Sequence, residues 1–514
     1  MENICFEKVN FTYALGDRPA LNDVSFSVKE GEMCLVIGKS AAGKSTLLRL
    51  IKKEIAPAGK LGGKITVPDG IGFVSQNVEE SIVCDRVRSE LSFGLTNLGL
   101  PKEYIELKVN ETAGYFNLSS KLDSVISSLS GGEKQILNLA SVMITKPQVL
   151  VLDEPTCQLD PVWAERFINV IKKLYRDFGT TVIIAEHLLG ELYDCTDSVM
   201  LVENGTVEAK TSPEKMIEYL KKSSNPLLES VPLSFRLFDA MGDISLCRKK
   251  LTQKNLPALR DKNEKCKAAI KAKSLIFSYK KDTQVIKNLS FIAFENKINV
   301  ILGANSSGKS TLLKLMSGVL KQQYGKIKKD KAVSMLCQNP RDLFTKEKCS
   351  DEVQFGELTA FLEIDEIKDS HPYDISEGQA QRLALAKVLQ TGADIILLDE
   401  PTKALDSAFK QKLASKLESL CDMGKTIVIT THDVNFAAEY GEYISFLSNG
   451  EIITTQPKRA FFSSLDFFTS SAFKITHGIL EGYVCEKDLE AWNEKEQNSP
   501  VRGVRCFCTD AFGD

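Results

Sequence analysis

The stretches GKSAAGKST (Gly38–Thr46) and GANSSGKST (Gly303–Thr311) lie 265 residues apart and decide the fold. Each fits G-x-x-x-x-G-K-S. Each follows an apolar run, CLVI at 34–37 or NVIL at 299–302, and opens an amphipathic stretch, TLLRLI or TLLKLM. A strand, a glycine-rich turn and a helix in that order make a phosphate cradle. Glycine lets backbone N–H groups turn inward, and the helix points its positive end at the phosphates. The backbone of Gly38, Lys39, Ser40 and Gly43 would line the first cradle, and that of Gly303, Asn305 and Gly308 the second. Lys44 and Lys309 would reach the β- and γ-phosphates, Ser45 and Ser310 would hold Mg²⁺, and Thr46 and Thr311 follow them into the helix.

The repeat runs well beyond the loops. FTYALGDRPALNDVSF (11–26) pairs with FSYKKDTQVIKNLSF (277–291), and IGFVSQN (71–77) with VSMLCQN (333–339). VLVLDEPTCQLD (149–160) pairs with IILLDEPTKALD (395–406), and TTVIIAEH (180–187) with KTIVITTH (425–432). So long a period is a duplicated domain rather than a solenoid. Strand-like and helical segments alternate in each copy, which implies α/β domains with parallel sheets. The expected division is 1–220, a linker at 221–270, a second copy at 271–456 and an unassigned tail at 457–514. The Lys-rich linker, broken by Pro226, Pro232 and Pro257, is expected to be ordered and mostly irregular, with one short amphipathic segment, FRLFDAMGDISL (235–246). Between the Gln of the second motif and the Ser of the next there are 54 positions in the first copy (Gln76 to Ser130) and 38 in the second (Gln338 to Ser376). The second copy has therefore lost about one helix.

Composition excludes several classes. A chain of 514 residues with 43% hydrophobic and 26% charged residues is ordinary for globular domains. A net charge of −3 gives no footprint for nucleic acid. No apolar run nears the roughly 20 residues that span a bilayer, and the start MENICFEKVNFTY does not read as a secretion signal. Thirteen cysteines without metal spacing read as reduced thiols of a cytosolic protein, and Cys506-x-Cys508 is too short to assign.

Asp153 and Asp399 end buried-strand patterns, where α/β sheets bind ligands, and would complete Mg²⁺ coordination. Glu154 and Glu400 would orient or deprotonate the attacking water. His187 and His432, two of only four histidines, occupy matched positions and would sense the γ-phosphate. LSGGEKQ (129–135) and ISEGQAQ (375–381) read as capping boxes, Ser130 with Glu133 and Ser376 with Gln379. Each exposes a helix N-terminus with close-approach glycines, Gly131, Gly132 and Gly378, suited to a terminal phosphate. Each copy already has one such helix end in its phosphate loop, so the second must serve a partner. Two copies paired head to tail within the chain would satisfy this. Tyr13 and Tyr279 could stack on adenine, and Gln76 and Gln338 could bind Mg²⁺ or water at the start of the variable region.

Together these motifs resemble the ATP-binding cassette ATPases: phosphate loop, Gln loop, signature, acidic strand end, a D-loop with Asp160 and Asp406, and a terminal His, in family order in both copies. The resemblance implies two tandem P-loop domains, each a RecA-like α/β core with a β-subdomain and a helical subdomain, using ATP and Mg²⁺. ESIVCDRVRSELSFGLTNLGLP after Gln76, EPTCQLDP, AEHLLGELYD and the linker segment VPLSFRLFDAMGDISLCRKKL resemble the ATPase subunits of energy-coupling-factor importers. That implies a peripheral subunit on the cytosolic face of the membrane. Its partners would be an integral membrane coupling (T) protein and a substrate-binding (S) membrane protein for a vitamin or transition-metal ion. A fused sugar-importer ATPase and a soluble twin-cassette protein acting on ribosomes are the rival readings. Glu377 departs from the signature pattern by replacing its first glycine, and is expected to point outward. Cys157 and Lys403 stand where small residues are common in the family.

Overall fold

The computed structural model describes residues 2–14, 16, 18–186, 189–190, 192–238, 244–252, 257–261, 266–280, 283–403, 405–465 and 468–490. Each copy is built on a six-stranded sheet. In the first, the order is Ile71–Val74, Val149–Asp153, Thr181–Ala185, Met33–Ile37, Ser198–Glu203 and Thr206–Thr211. All neighbours are parallel except the last pair, which forms an antiparallel edge. The second copy repeats that order with Val333–Leu336, Ile395–Asp399, Thr426–Thr431, Ile298–Leu302, Tyr443–Ser448 and Glu451–Pro457. The strands leading to the phosphate loops and the acidic ends are buried at every position. Near-continuous apolar runs are what a sheet covered on both faces requires.

A three-stranded antiparallel sheet lies against one face of each core. It consists of Leu21–Lys29, Glu2–Tyr13 and Gly59–Thr66 in the first copy, and of Thr283–Phe294, Ala268–Lys280 and Tyr324–Lys329 in the second. Its apolar face and the helix after the phosphate loop form one core, and the remaining helices form another on the opposite face. The two tandem P-loop α/β domains expected from the sequence are present.

The lost helix is visible. After Gln76 the first copy carries Val87–Asn97 and Lys102–Tyr115, whereas in the second the corresponding α-helical segments are only the short turns Cys349–Glu352 and Glu357–Phe361 before its signature helix. The connection between copies is more regular than expected, and its helices overlap the amphipathic segment at 235–246. It holds helices Leu233–Phe238 and Ile244–Thr252, and the second copy's first strand begins at Ala268. The tail supplies their cover: Leu233, Phe238, Cys247 and Leu251 form one cluster with Ala472, Ile475, Leu480, Tyr483 and Leu489. Two segments without repeat partners therefore fold on each other. Cys506 and Cys508 lie outside the described residues. The eleven described cysteines are free thiols.

Candidate functional site

Each phosphate loop is wound tightly on its own lysine. Lys44 Nζ donates to the carbonyls of Gly38 (2.9 Å) and Lys39 (3.1 Å), and Lys309 Nζ to those of Gly303 (2.8 Å) and Ala304 (3.1 Å). The turn requires glycine at its end. Gly43 has φ +103°, and a Cβ there would also lie 2.9 Å from the Ala20 carbonyl oxygen. From this turn start the helices Lys44–Ile51 and Lys309–Ser317. Ser45 Oγ donates to Asp153 Oδ1 at 3.0 Å, which joins the loop to the acidic strand end. Thr46 Oγ1 lies 2.7 Å from the Tyr13 hydroxyl, and Thr311 Oγ1 lies 3.3 Å from that of Tyr279. Both tyrosine rings are exposed beside their loops.

The carboxylates are held under strain. Glu154 and Glu400 have φ values of +46° and +50°, left-handed backbone at non-glycine residues. Such a conformation costs on the order of 1–3 kcal/mol and persists where surroundings fix it. Here the fix is the neighbouring strand: Glu154 N donates to Ala185 O and Glu400 N to Thr430 O, both at 2.9 Å. The turn brings Glu154 Oε1 to 3.7 Å from Lys44 Nζ, and Glu400 Oε1 to 3.6 Å from Lys309 Nζ. Gln76 Nε2 donates to Glu154 Oε2 at 3.1 Å. His432 Nδ1 stands 3.0 Å from Glu400 Oε2, and the His432 backbone N–H donates to the same oxygen at 3.4 Å. His187 lies outside the described residues.

Burial sets the electrostatics. It pushes the Lys44 ammonium down, opposed by Glu154, Asp153 and Asp406. It raises Asp153 to about 6, helped by repulsion from Glu154 and opposed by the Ser45 hydroxyl. Asp399 is likewise raised by burial, against bonds from Thr430 and Ser310. Burial also favours the neutral form of Glu400, but His432 and Lys309 outweigh it and hold this carboxyl below its ordinary value. Glu400 is thus the carboxylate kept charged, as a water-orienting group should be.

The residues fit Mg²⁺. Asp399 is fully buried and its Oδ2 has no hydrogen-bond partner, while Oδ1 accepts from Thr430 at 2.7 Å. A buried orphan carboxylate oxygen beside Ser310 suits a hard cation. Among the described residues no three His, Cys, Asp or Glu side chains converge as a metal site. Mg²⁺ does not demand such a cage, since it keeps waters and takes phosphate oxygens.

The two copies meet head to tail. Ser40 N of the first phosphate loop donates to Asp406 Oδ2 of the second copy at 3.2 Å. Asn305 N of the second loop donates to Asp160 Oδ2 of the first at 3.4 Å. Each Asp also caps the helix that follows it, through Trp163 N or Phe409 N. A cavity of about 470 Å³ lies at the second loop. Asn305, Gly308, Lys309, Ser310, Thr311, Gln338, Glu400, Lys403 and His432 line it from one copy, and Cys157 and Gln158 from the other.

The signature residues take the expected local form. Ser130 with Glu133 and Ser376 with Gln379 make capping boxes at the starts of Gly131–Met143 and Glu377–Gln390. A Cβ on Gly132 would lie 2.1 Å from the Trp163 ring, so this close approach admits only glycine. Ser130, Gly131 and Gly132 do not line the cavity, and the contact between copies runs through the D-loops. Gly378 O accepts from Arg382. Glu377, expected to point outward, keeps 40% of its side chain exposed while its Oε1 lies 3.4 Å from Lys403 Nζ, a cation that the motif pattern does not supply. Sequence reasoning also passed over Gln135 and Gln381. Their buried amides donate to the carbonyl of Pro155 (2.8 Å) and to those of Glu400 and Pro401 (both 3.4 Å), tying signature helix to acidic turn. The recurrence of Gln at the seventh position of both signatures was the available signal.

Comparison with known proteins agrees with this architecture. The ABC transporter family matches residues 21–157 and 286–403. A Bacillus cereus protein named "Putative ABC transporter ATP-binding protein" is 32% identical over 530 residues, covering 92% of this chain and 95% of its own length. A Streptomyces coelicolor protein of the same description is 30% identical over 532 residues, covering 88% and 94%. Among solved structures, RNase-L Inhibitor aligns over 90% of this chain and 92% of its own, with TM-score 0.60 and 18% identity. An archaeal ribosome recycling factor, solved with a ribosomal stalk protein, aligns over 93% and 96% with TM-score 0.58 and 20% identity. At such identities the likeness shows the fold alone. On sequence, site and architecture together, the chain belongs to the ABC transporter family of ATP-binding proteins, with two cassettes paired in one polypeptide.

Proposed function

We propose that this chain is the ATP-hydrolysing subunit of a membrane importer of the energy-coupling-factor type. Two Mg-ATP would be held at the seam between the cassettes. One would sit with Lys44, Ser45, Gln76, Asp153, Glu154 and His187, facing Ser376 and Gly378. The other would sit with Lys309, Ser310, Gln338, Asp399, Glu400 and His432, facing Ser130, Gly131 and Gly132. Bound Mg²⁺ would draw charge from the β- and γ-phosphates. Glu154 and Glu400, both fixed by strained turns, would orient the attacking water, and His432 and Lys309 favour the charged form of Glu400. Tyr13 and Tyr279 would pack on the base. Loss of the γ-phosphate removes the group that both copies grip, and the cassettes part. That opening is a ligand-driven population shift a membrane partner can use.

The observation that carries the importer reading is an apolar surface beside Gln76 in the first copy only. Val83, Phe93, Leu98, Tyr104 and Leu107 on and around its two helices are exposed, Leu98 at 66% and Leu107 at 63%. Five exposed apolar side chains within 25 residues of sequence suit an interaction site, and Gln76, placed at the nucleotide, begins the segment. The transporter descriptions of the relatives lend support. No described helix is long and apolar enough to cross a membrane, so the spanning part would belong to partners. The ribosome reading is disfavoured by the net charge of −3 and by a linker folded on the tail. A photo-crosslinker at Phe93 or Leu98 in native cells tests the choice. An integral membrane protein with several spans as the adduct supports it, and ribosomal protein or RNA overturns it.

A further inference from the structure

Two departures from the repeat meet in space. Where the first copy has Gly131 and Cys157, the second has Glu377 and Lys403, and these two replacements form an ion pair at 3.4 Å. Glycine and cysteine at the matching positions can form no such pair. Glu377 is the first residue of the signature helix, directly after its cap Ser376. A carboxylate there is favoured by the helix's positive end. It also opposes the attraction of that end for a phosphate. Glu377 stands at the seam: burial first, then the charges of Glu186, Glu154 and Glu377, drive the Cys157 thiol of the other copy upward. Lys403 is itself only 24% exposed and, with Cys157, also lines the cavity at the opposite phosphate loop, Gly303–Thr311.

We propose that Lys403 is a positioning residue for one of the two seams. By neutralising Glu377, it lets the helix that begins there still take the terminal phosphate of a nucleotide held by Gly38–Thr46. The opposite seam, where Gly131 stands, needs no such partner, so the two nucleotide sites are unequal by construction. The proposal rests on the nucleotide-site reading above.

The test is steady-state Mg-ATP turnover of the full chain with K403M, K403R, E377Q and the K403M/E377Q double variant. One uncompensated charge at a partly screened site should raise KM in K403M about tenfold, with kcat changed less than about threefold. In the E377Q background the same K403M change should shift KM less than about twofold, because no charge remains to compensate. K403R should retain wild-type KM. The K403M defect should shrink as KCl rises from about 0.05 to 0.5 M. The swap E377K/K403E keeps the test sharp if K403M melts early, because it should restore KM where either charge reversal alone does not. Equal loss from K403M in both backgrounds, or none in either, overturns the inference while leaving the ATPase reading intact. An unaltered chain that hydrolyses no ATP overturns the site reading and this inference with it.

Discussion

Glu154 and Glu400 occupy left-handed backbone that only their surroundings enforce. Replacing either by Gln preserves shape and removes the charge that would orient water. E154Q/E400Q is expected to bind Mg-ATP with affinity within about fivefold of wild type while turnover falls at least about a hundredfold, the scale of a lost general base. Filter retention of labelled ATP and phosphate release check this together. At Gly132 a single methyl would meet the Trp163 ring at 2.1 Å. G132A should lower stability by about 1–3 kcal/mol, as overpacking does, read by urea unfolding. Much of the site was legible because loop, acidic turn and capping box are short motifs whose geometry is local. Glu377 was not, since its direction depends on Lys403, 26 positions away and across a turn. Gln135 and Gln381 were hidden for the same reason: their partners are backbone carbonyls that no motif records.

Among the elements, the parallel strands and the missing helix of the second copy followed from apolar runs and spacing. The linker helices followed only in part: an amphipathic segment at 235–246 was legible, but the helices Leu233–Phe238 and Ile244–Thr252 were not. Leu233–Phe238 is only six residues long, and its apolar side is explained by tail residues more than 230 positions away. A short amphipathic helix has no stability of its own and reads as loop until its cover is known. The tail in turn is fastened by Arg459, whose guanidinium makes two parallel 2.8 Å bonds to Asp488. Burial favours the neutral form of Asp488, but Arg459 outweighs it and holds the carboxyl below its ordinary value. A depressed folded value means that this stabilisation is complete above the unfolded carboxyl's pKa of about 4 and is lost as pH falls through the folded one. Hydrogen exchange over residues 470–489 should stay slow from pH 7 to about 5 and, after correction for intrinsic rates, accelerate below about 4. In R459M that protection should already be reduced at pH 7.

For the whole molecule, the two cassettes face each other through a pair of reciprocal contacts. Asp160 and Asp406 each cap a helix in one copy and accept from a phosphate loop in the other. D160N/D406N keeps an acceptor for both caps and removes the charge at the seam. Turnover should fall about five- to tenfold while the melting midpoint moves less than about 3 °C, because cap energies change by only tenths of a kcal/mol. The central claim is that each nucleotide bridges a phosphate loop of one copy and the capped signature helix of the other. A structure of E154Q/E400Q with Mg-ATP tests it most directly. Ser130 Oγ should lie about 3 Å from the γ-phosphate on Lys309, and Ser376 Oγ equally near the one on Lys44. Both serines standing beyond the reach even of a bridging water, with nucleotide bound at both loops, would contradict the account.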